Sequence, residues 1–214
     1  MKILVACEES QAVTKEFRRL GHEAYSCDTE PCSGGHPEWH LRQDVLPLLN
    51  GEWDMIIAFP PCTYLSNAGA CRLYPTKGMI DYDRYLKGME AKEFFMMFLN
   101  TNCERVAVEN PVSSTVFAMP KHTQEIQPYM FGHPYTKKTR LWLKGLPELR
   151  PTNTVEPVGP YCPAGTSRKD RRKYGSARRG DDSKNRSKMF PGIARAMAEQ
   201  WSNCNIEIQQ EIPV

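Results

Sequence analysis

The chain reads as an α/β protein: a mostly parallel central sheet with helices on both faces. Three observations predict this. Short apolar runs alternate with segments of helical periodicity through the first two-thirds of its 214 residues. The runs Ile3 to Ala6 and Met55 to Phe59 are continuously apolar, as strands covered on both faces are. Polar or proline residues follow each run at once, and the carboxyl ends of strands are where such sheets hold ligands.

The elements follow in order. Ile3 to Ala6 is a buried strand, and Gln11 to Leu20 a helix closed by Gly21. His22 to Cys27 is a second strand, with Asp28 at its end. Met55 to Phe59 is a third, stopped by Pro60-Pro61. Tyr85 to Asn100 carries Met, Phe and Leu at helical spacing. Val106 to Val108 is a strand stopped by Asn110-Pro111, and Arg140 to Leu143 a later one. Residues 151–188 turn rich in Pro, Gly, Ser and charge, the composition of a long loop. Ser187 to Trp201 restores a helix with Phe190, Ile193, Ala194, Met197 and Trp201 on one side, and Pro191 near its start. The last ten residues read as loose or as a short terminal strand. The sequence shows no internal repeats.

At 40% hydrophobic, residues 1–214 suit one soluble domain with a single core. No run approaches ~18 apolar residues, so no membrane span is expected. The opening MKILVAC turns charged too soon for a secretory leader. Eight cysteines without dense small-scaffold spacing fit reduced thiols in the cytoplasm. The net charge is +3, but residues 168–188 hold ten Lys/Arg against three Asp, a surplus of seven that leaves the rest of the chain at −4. A basic segment on a mildly acidic body fits a local polyanion contact, and equally a solvated loop.

The chemistry-bearing residues sit at the predicted strand ends. Cys62 follows Pro60-Pro61, whose rings restrict the backbone before it. A thiolate there can attack an electrophilic carbon, although a post-strand cysteine is also what a small buried hydrophobe looks like. Glu109 ends the next apolar strand, where a carboxyl beside a thiol can serve as acid to a heteroaromatic ring, or Glu109-Asn110 can be a plain turn.

Together these motifs resemble the DNA (cytosine-5) methyltransferases, in a short form like those of phages and prophages that lacks a full target-recognition domain. Pro61-Cys62 with Ser66 is similar to the family's catalytic loop, and Glu109-Asn110 to its glutamate–asparagine motif. Thr139-Arg140-Leu141-Trp142 resembles the strand supplying an arginine near the base, and Ser187 to Trp201 the closing helix. The resemblance covers about residues 1–145 and 185–201. It implies a Rossmann-like, S-adenosylmethionine-dependent methyltransferase fold in a bacterial cytoplasm. It also implies a catalytic set of Cys62, Glu109 and Arg140 acting on a cytosine flipped from duplex DNA.

The resemblance further implies that Asp28 meets the ribose hydroxyls of S-adenosylmethionine and Asp44 its adenine. Ala6, Cys7, Glu8, Glu9, Ser10, Pro60 and Pro61 would line the same pocket, with Glu8 or Glu9 toward the amino group. One departure is the turn Cys7-Glu8-Glu9-Ser10-Gln11, which lacks the family's glycines. Another is the short insertion in place of a recognition domain. DNA would be gripped there by Arg168, Arg171, Arg172, Arg178, Arg179 and Lys188, with Ser66, mainly through phosphates. Target reading would then be relaxed, or depend on a protein partner or a second copy. Three alternatives stay open: a pyrimidine-modifying relative with another substrate or one-carbon donor, a non-catalytic nucleic-acid-binding module, and a zinc-binding regulator. The last rests on Cys27, Cys32, His36 and His40, although no metal is expected.

Overall fold

A computed structural model describes residues 1–70, 72–161 and 187–203. Strands β1 (Lys2–Ala6), β2 (Glu23–Asp28), β3 (His40–Arg42), β4 (Met55–Ala58), β5 (Val106–Pro111), β6 (Gln124–Ile126) and β8 (Thr139–Lys144) form a seven-stranded sheet. Its order is β3-β2-β1-β4-β5-β8-β6. The first five strands are mutually parallel, while β8 runs antiparallel to both β5 and β6. A separate two-stranded pairing joins β7 (Tyr135–Thr136) to β9 (Gly159–Pro160). The strand order reverses between β1 and β4, and the carboxyl ends of strands at such a reversal are where sheets of this kind hold ligands. This is a mostly parallel α/β sheet of Rossmann-like character.

Side-chain alternation sorts the core into two layers. Ile3, Val5, Ile57, Ala107 and Leu141 face helices α1 (Ala12–Arg19) and α4 (Pro191–Ser202). Leu4, Ala6, Ile56, Val106, Val108 and Trp142 face helix α3 (Tyr82–Leu99), which supplies Phe95 and Phe98. A short helix α2 (Asn67–Ala70) follows the Cys62 loop. Helix α4 starts with Pro191 in its first turn and buries Trp201 completely, with the indole N–H given to the Pro147 carbonyl at 3.0 Å. Truncating such an indole costs about 3–5 kcal/mol.

The elements differ from expectation where pairing or capping overrides local sequence. β5 runs through Glu109, Asn110 and Pro111, because those residues pair in register with Leu141, Arg140 and Thr139 of β8. Helix α3 begins at Tyr82, since Asp81 accepts a hydrogen bond from the Arg84 amide at 3.0 Å and caps it. The closing helix begins at Pro191 rather than Ser187. Strands β3 and β6 have three residues each, too few to carry a periodic signal, and both lie at the sheet edges. Arg168, Arg171, Arg172, Arg178 and Arg179 lie outside the described residues, as does the tail beyond residue 203. Among the described residues no helix is long and apolar enough to cross a membrane.

Candidate functional site

Three chain segments meet where the strand order reverses. The first is the turn after β1. Without glycine it still reaches the left-handed region, at Cys7 (φ 57°) and Gln11 (φ 55°). Side chains hold it there. The Gln11 amide donates to the His36 carbonyl at 2.7 Å and to Ser26 Oγ at 3.2 Å, while its oxygen accepts the His36 N–H at 3.1 Å. The Ser33 amide donates to the Glu9 carbonyl at 2.8 Å. A Cβ at Gly34 would overlap Gln11 and the Ser10 carbonyl. The close approach that glycines in the turn would permit is thus supplied by a glycine folded over it from the loop after β2.

The two glutamates of this turn have different surroundings. Glu8 is buried and caps α1, accepting from the Val13 amide at 2.6 Å, the Thr14 amide at 3.2 Å and the Thr14 hydroxyl at 2.7 Å. Burial pushes its carboxyl up to about 7 against those hydrogen bonds. Glu8 is therefore committed to the fold. Both carboxylate oxygens of Glu9 are buried and have no hydrogen-bond partner.

Asp28 and Asp44 close the same corner. Asp28 accepts the Glu30 amide and Asp44 the Leu46 amide, each at 3.0 Å, so both carboxylates also order their own turns. Burial pushes the Cys7 thiol up, and the charges of Asp28 and Asp44 add to that. Cys27 is pushed up to about 11 by burial and by the same two aspartates. The ends of β1 and β2 and the turn after β3 thus share one electrostatic environment. Ala6 is fully buried beneath it and Ser10 is half-buried.

The second segment leaves β4. The Phe59 amide still donates to the Ala6 carbonyl at 3.0 Å, and the chain then turns through buried Pro60 and exposed Pro61 to half-buried Cys62. The Cys62 carbonyl accepts the amides of Leu65 (3.2 Å) and Ser66 (2.9 Å), winding a tight turn behind the thiol.

The third segment is the end of β5. Register places Ala58 beside Val108, so Phe59 and Glu109 follow side by side. Alternation turns Glu109 toward the α1–α4 face. Burial pushes its carboxyl up to about 6, opposed by the charge of Lys137. The second and third segments are stitched together: the Asn67 amide donates to the Val112 carbonyl at 2.9 Å, the Ser114 amide to the Leu65 carbonyl at 2.8 Å, and Ser66 bridges Ser113. The Cys62 turn is thereby fixed to the residues that directly follow Glu109.

Other expected residues sit elsewhere. Arg140 is cross-strand from Asn110, on the opposite face from Glu109, and its Nε pairs with Glu125 at 3.4 Å. Lys137, which carries no motif signal, supplies the charge that lowers the Glu109 pKa. Ser66 is buried in the stitched turn and accepts the Gly69 amide, rather than facing outward. Lys188 is half-buried before α4. Asn110 is fully buried with neither amide atom hydrogen-bonded, an omission that costs about 1–3 kcal/mol for each unpaired group.

The Cys27, Cys32, His36 and His40 set does not assemble. His40 meets Ser26 Oγ (2.8 Å) and the Glu30 carbonyl (2.9 Å) through its two nitrogens, His36 stacks on Trp39, and the Cys27 thiol donates to the Gln43 carbonyl. Among the described residues no three His, Cys, Asp or Glu side chains converge as metal ligands. Cys7, Cys27, Cys32, Cys62 and Cys103 are all thiols. Compared with protein-family models and with curated protein sequences, the chain matches none.

Proposed function

We propose that the chain is a DNA (cytosine-5) methyltransferase with Cys62 as nucleophile and Glu109 as acid. The observation that carries this reading is the stitching of the segment after Cys62 to residues 112–114 that follow Glu109, on the strands next to the reversal point of the sheet. A thiol and a carboxyl that burial keeps partly protonated near neutrality are the two groups that addition to cytosine needs.

The residues around the turn after β1 fit S-adenosylmethionine. Glu9 offers an unpaired buried carboxylate to a cationic amino group, and Asp28 and Asp44 offer acceptors to ribose hydroxyls and an exocyclic amine. When bound, this cofactor supplies a methyl group made electrophilic by a sulfonium.

The chain's own part follows from the chemistry of the pyrimidine. Carbon 6 of neutral cytosine is a poor electrophile. A hydrogen bond or proton from Glu109 to N3 draws electrons toward that nitrogen, and the Cys62 thiolate adds at carbon 6. The adduct concentrates electron density on carbon 5, the atom to be alkylated. A solvent base takes the carbon-5 proton, the electrons of that bond expel the Cys62 thiolate from carbon 6, and the N3 proton returns to Glu109, which restores the ring. The base must leave the duplex for the thiolate to reach it. The charge of Lys137 tempers the raised pKa of Glu109.

Bisulfite sequencing of plasmid DNA from cells expressing the chain tests the reading. Protected cytosines that disappear with Cys62→Ser support it. A conversion pattern identical to that of empty-vector DNA refutes it.

A further inference from the structure

We infer that Arg84 is the positioning residue that latches the nucleophile's turn, an inference that rests on Cys62 being the nucleophile. Arg84 stands in the first turn of α3, held there by the Asp81 cap. Its Nη2 donates to the Thr63 carbonyl at 3.3 Å and to the Gly69 carbonyl at 3.1 Å. Its guanidinium carbon lies 4.9 Å from the centre of the Tyr64 ring. One cation thus touches three residues of the segment that leaves Cys62, across about twenty positions of sequence.

The segment is built around that contact. A Cβ at Gly69 would overlap the Thr63 carbonyl oxygen, so the two strands of the turn meet at backbone distance and present both carbonyls to one donor. The Asp81 amide donates to the Leu73 carbonyl at 2.8 Å and ties the far end of the segment to the same helix start. The β5 stitching secures the back of the turn, and Arg84 secures its front. One nitrogen serves both carbonyls, which an ammonium could also reach, but the planar guanidinium in addition lies against the Tyr64 ring, so a lysine keeps only part of the contact.

The latch fixes where the thiol stands rather than whether it is reactive. Releasing it should loosen the turn and expose Cys62 to small reagents, while lowering the rate at which Cys62 meets a cytosine carbon that needs a fixed approach. Arg84→Ala, Arg84→Lys and a Lys87→Ala control on the same helix separate these effects. Expected for Arg84→Ala is about tenfold faster hydrogen exchange at the Leu65, Ser66 and Gly69 amides. Iodoacetamide should alkylate Cys62 several-fold faster. Covalent capture by 5-fluorocytosine DNA should slow about tenfold, with KM for DNA within twofold. Arg84→Lys should fall between, and Lys87→Ala should match wild type.

Unchanged exchange and alkylation in Arg84→Ala overturn the latch. Faster exchange with unchanged capture also overturns it, since the arginine would then be structural only. If wild-type protein captures no fluorinated DNA, the nucleophile reading fails, and the exchange and alkylation results alone decide whether Arg84 holds the turn.

Discussion

Replacing Glu109 with Gln removes a titrating acid from a site that burial has shaped to keep its proton. The carboxyl is raised from 4.5 to about 6 by desolvation, with Lys137 opposing. At pH 7 about a tenth of the molecules then hold the proton, against roughly one in three hundred for an ordinary carboxyl. The shift is worth about 2 kcal/mol in the native state. Because the folded pKa is the raised one, this contribution to stability is fully present below about pH 4.5 and is lost as pH rises through about 6. The same titration should appear in catalysis. The alkaline limb of kcat/KM that Glu109 sets should fall about tenfold per pH unit above 6, and Glu109→Gln should lose that limb and about 10²–10⁴-fold in kcat. Lys137→Met should move the limb upward, because it removes the charge that lowers the pKa. Steady-state methylation from pH 5 to 9 measures both. A Glu109→Gln variant within tenfold of wild type and with the same limb would show that another group supplies the proton.

The remaining predictions concern the cofactor corner, the helix cap and the basic segment. Asp28→Ala and Asp44→Ala should each weaken S-adenosylmethionine by about 1–3 kcal/mol, and Glu9→Gln should do the same, as calorimetry would measure; unchanged affinity in all three would put the pocket elsewhere. Glu8→Ala should instead lower stability in urea by about 1–2 kcal/mol or more, because α1 loses its cap; a larger effect on cofactor affinity than on stability would reverse the roles of the two glutamates. Changing Arg168, Arg171, Arg172, Arg178 and Arg179 to Ala should weaken all DNA sequences about equally and reduce the log–log salt slope by up to ~0.9 for each phosphate no longer neutralised. An unchanged slope with altered target sites would mean that these arginines read bases.

What is legible in the sequence is whatever lies next to a strong apolar run. Cys62 lies in the loop just after β4 and Glu109 near the end of β5, so parallel neighbours bring these two chain segments together without long-range information. What stays hidden comes from packing across distance. Gly34 folds over Gln11 from a loop with no periodicity, and Arg84 reaches back to Thr63 from the next helix. Lys137 precedes β8 unmarked by any motif, whereas Arg140, which has one, faces away from Glu109 because an antiparallel register and side-chain alternation decide its side. The glycine-free turn looks like a defect in the sequence. In the structure its strain is carried by a glutamine amide and by a borrowed glycine.

The most direct test of the account is covalent capture of Cys62. Incubating the protein and S-adenosylmethionine with duplex DNA containing 5-fluorocytosine should leave a denaturation-resistant complex, because the fluorine cannot depart as the proton does. Peptide mapping should place the DNA on Cys62, and Cys62→Ser should form no complex and show no turnover while keeping its fold. Methylation retained by Cys62→Ser, with the adduct on a different cysteine, would contradict the assignment.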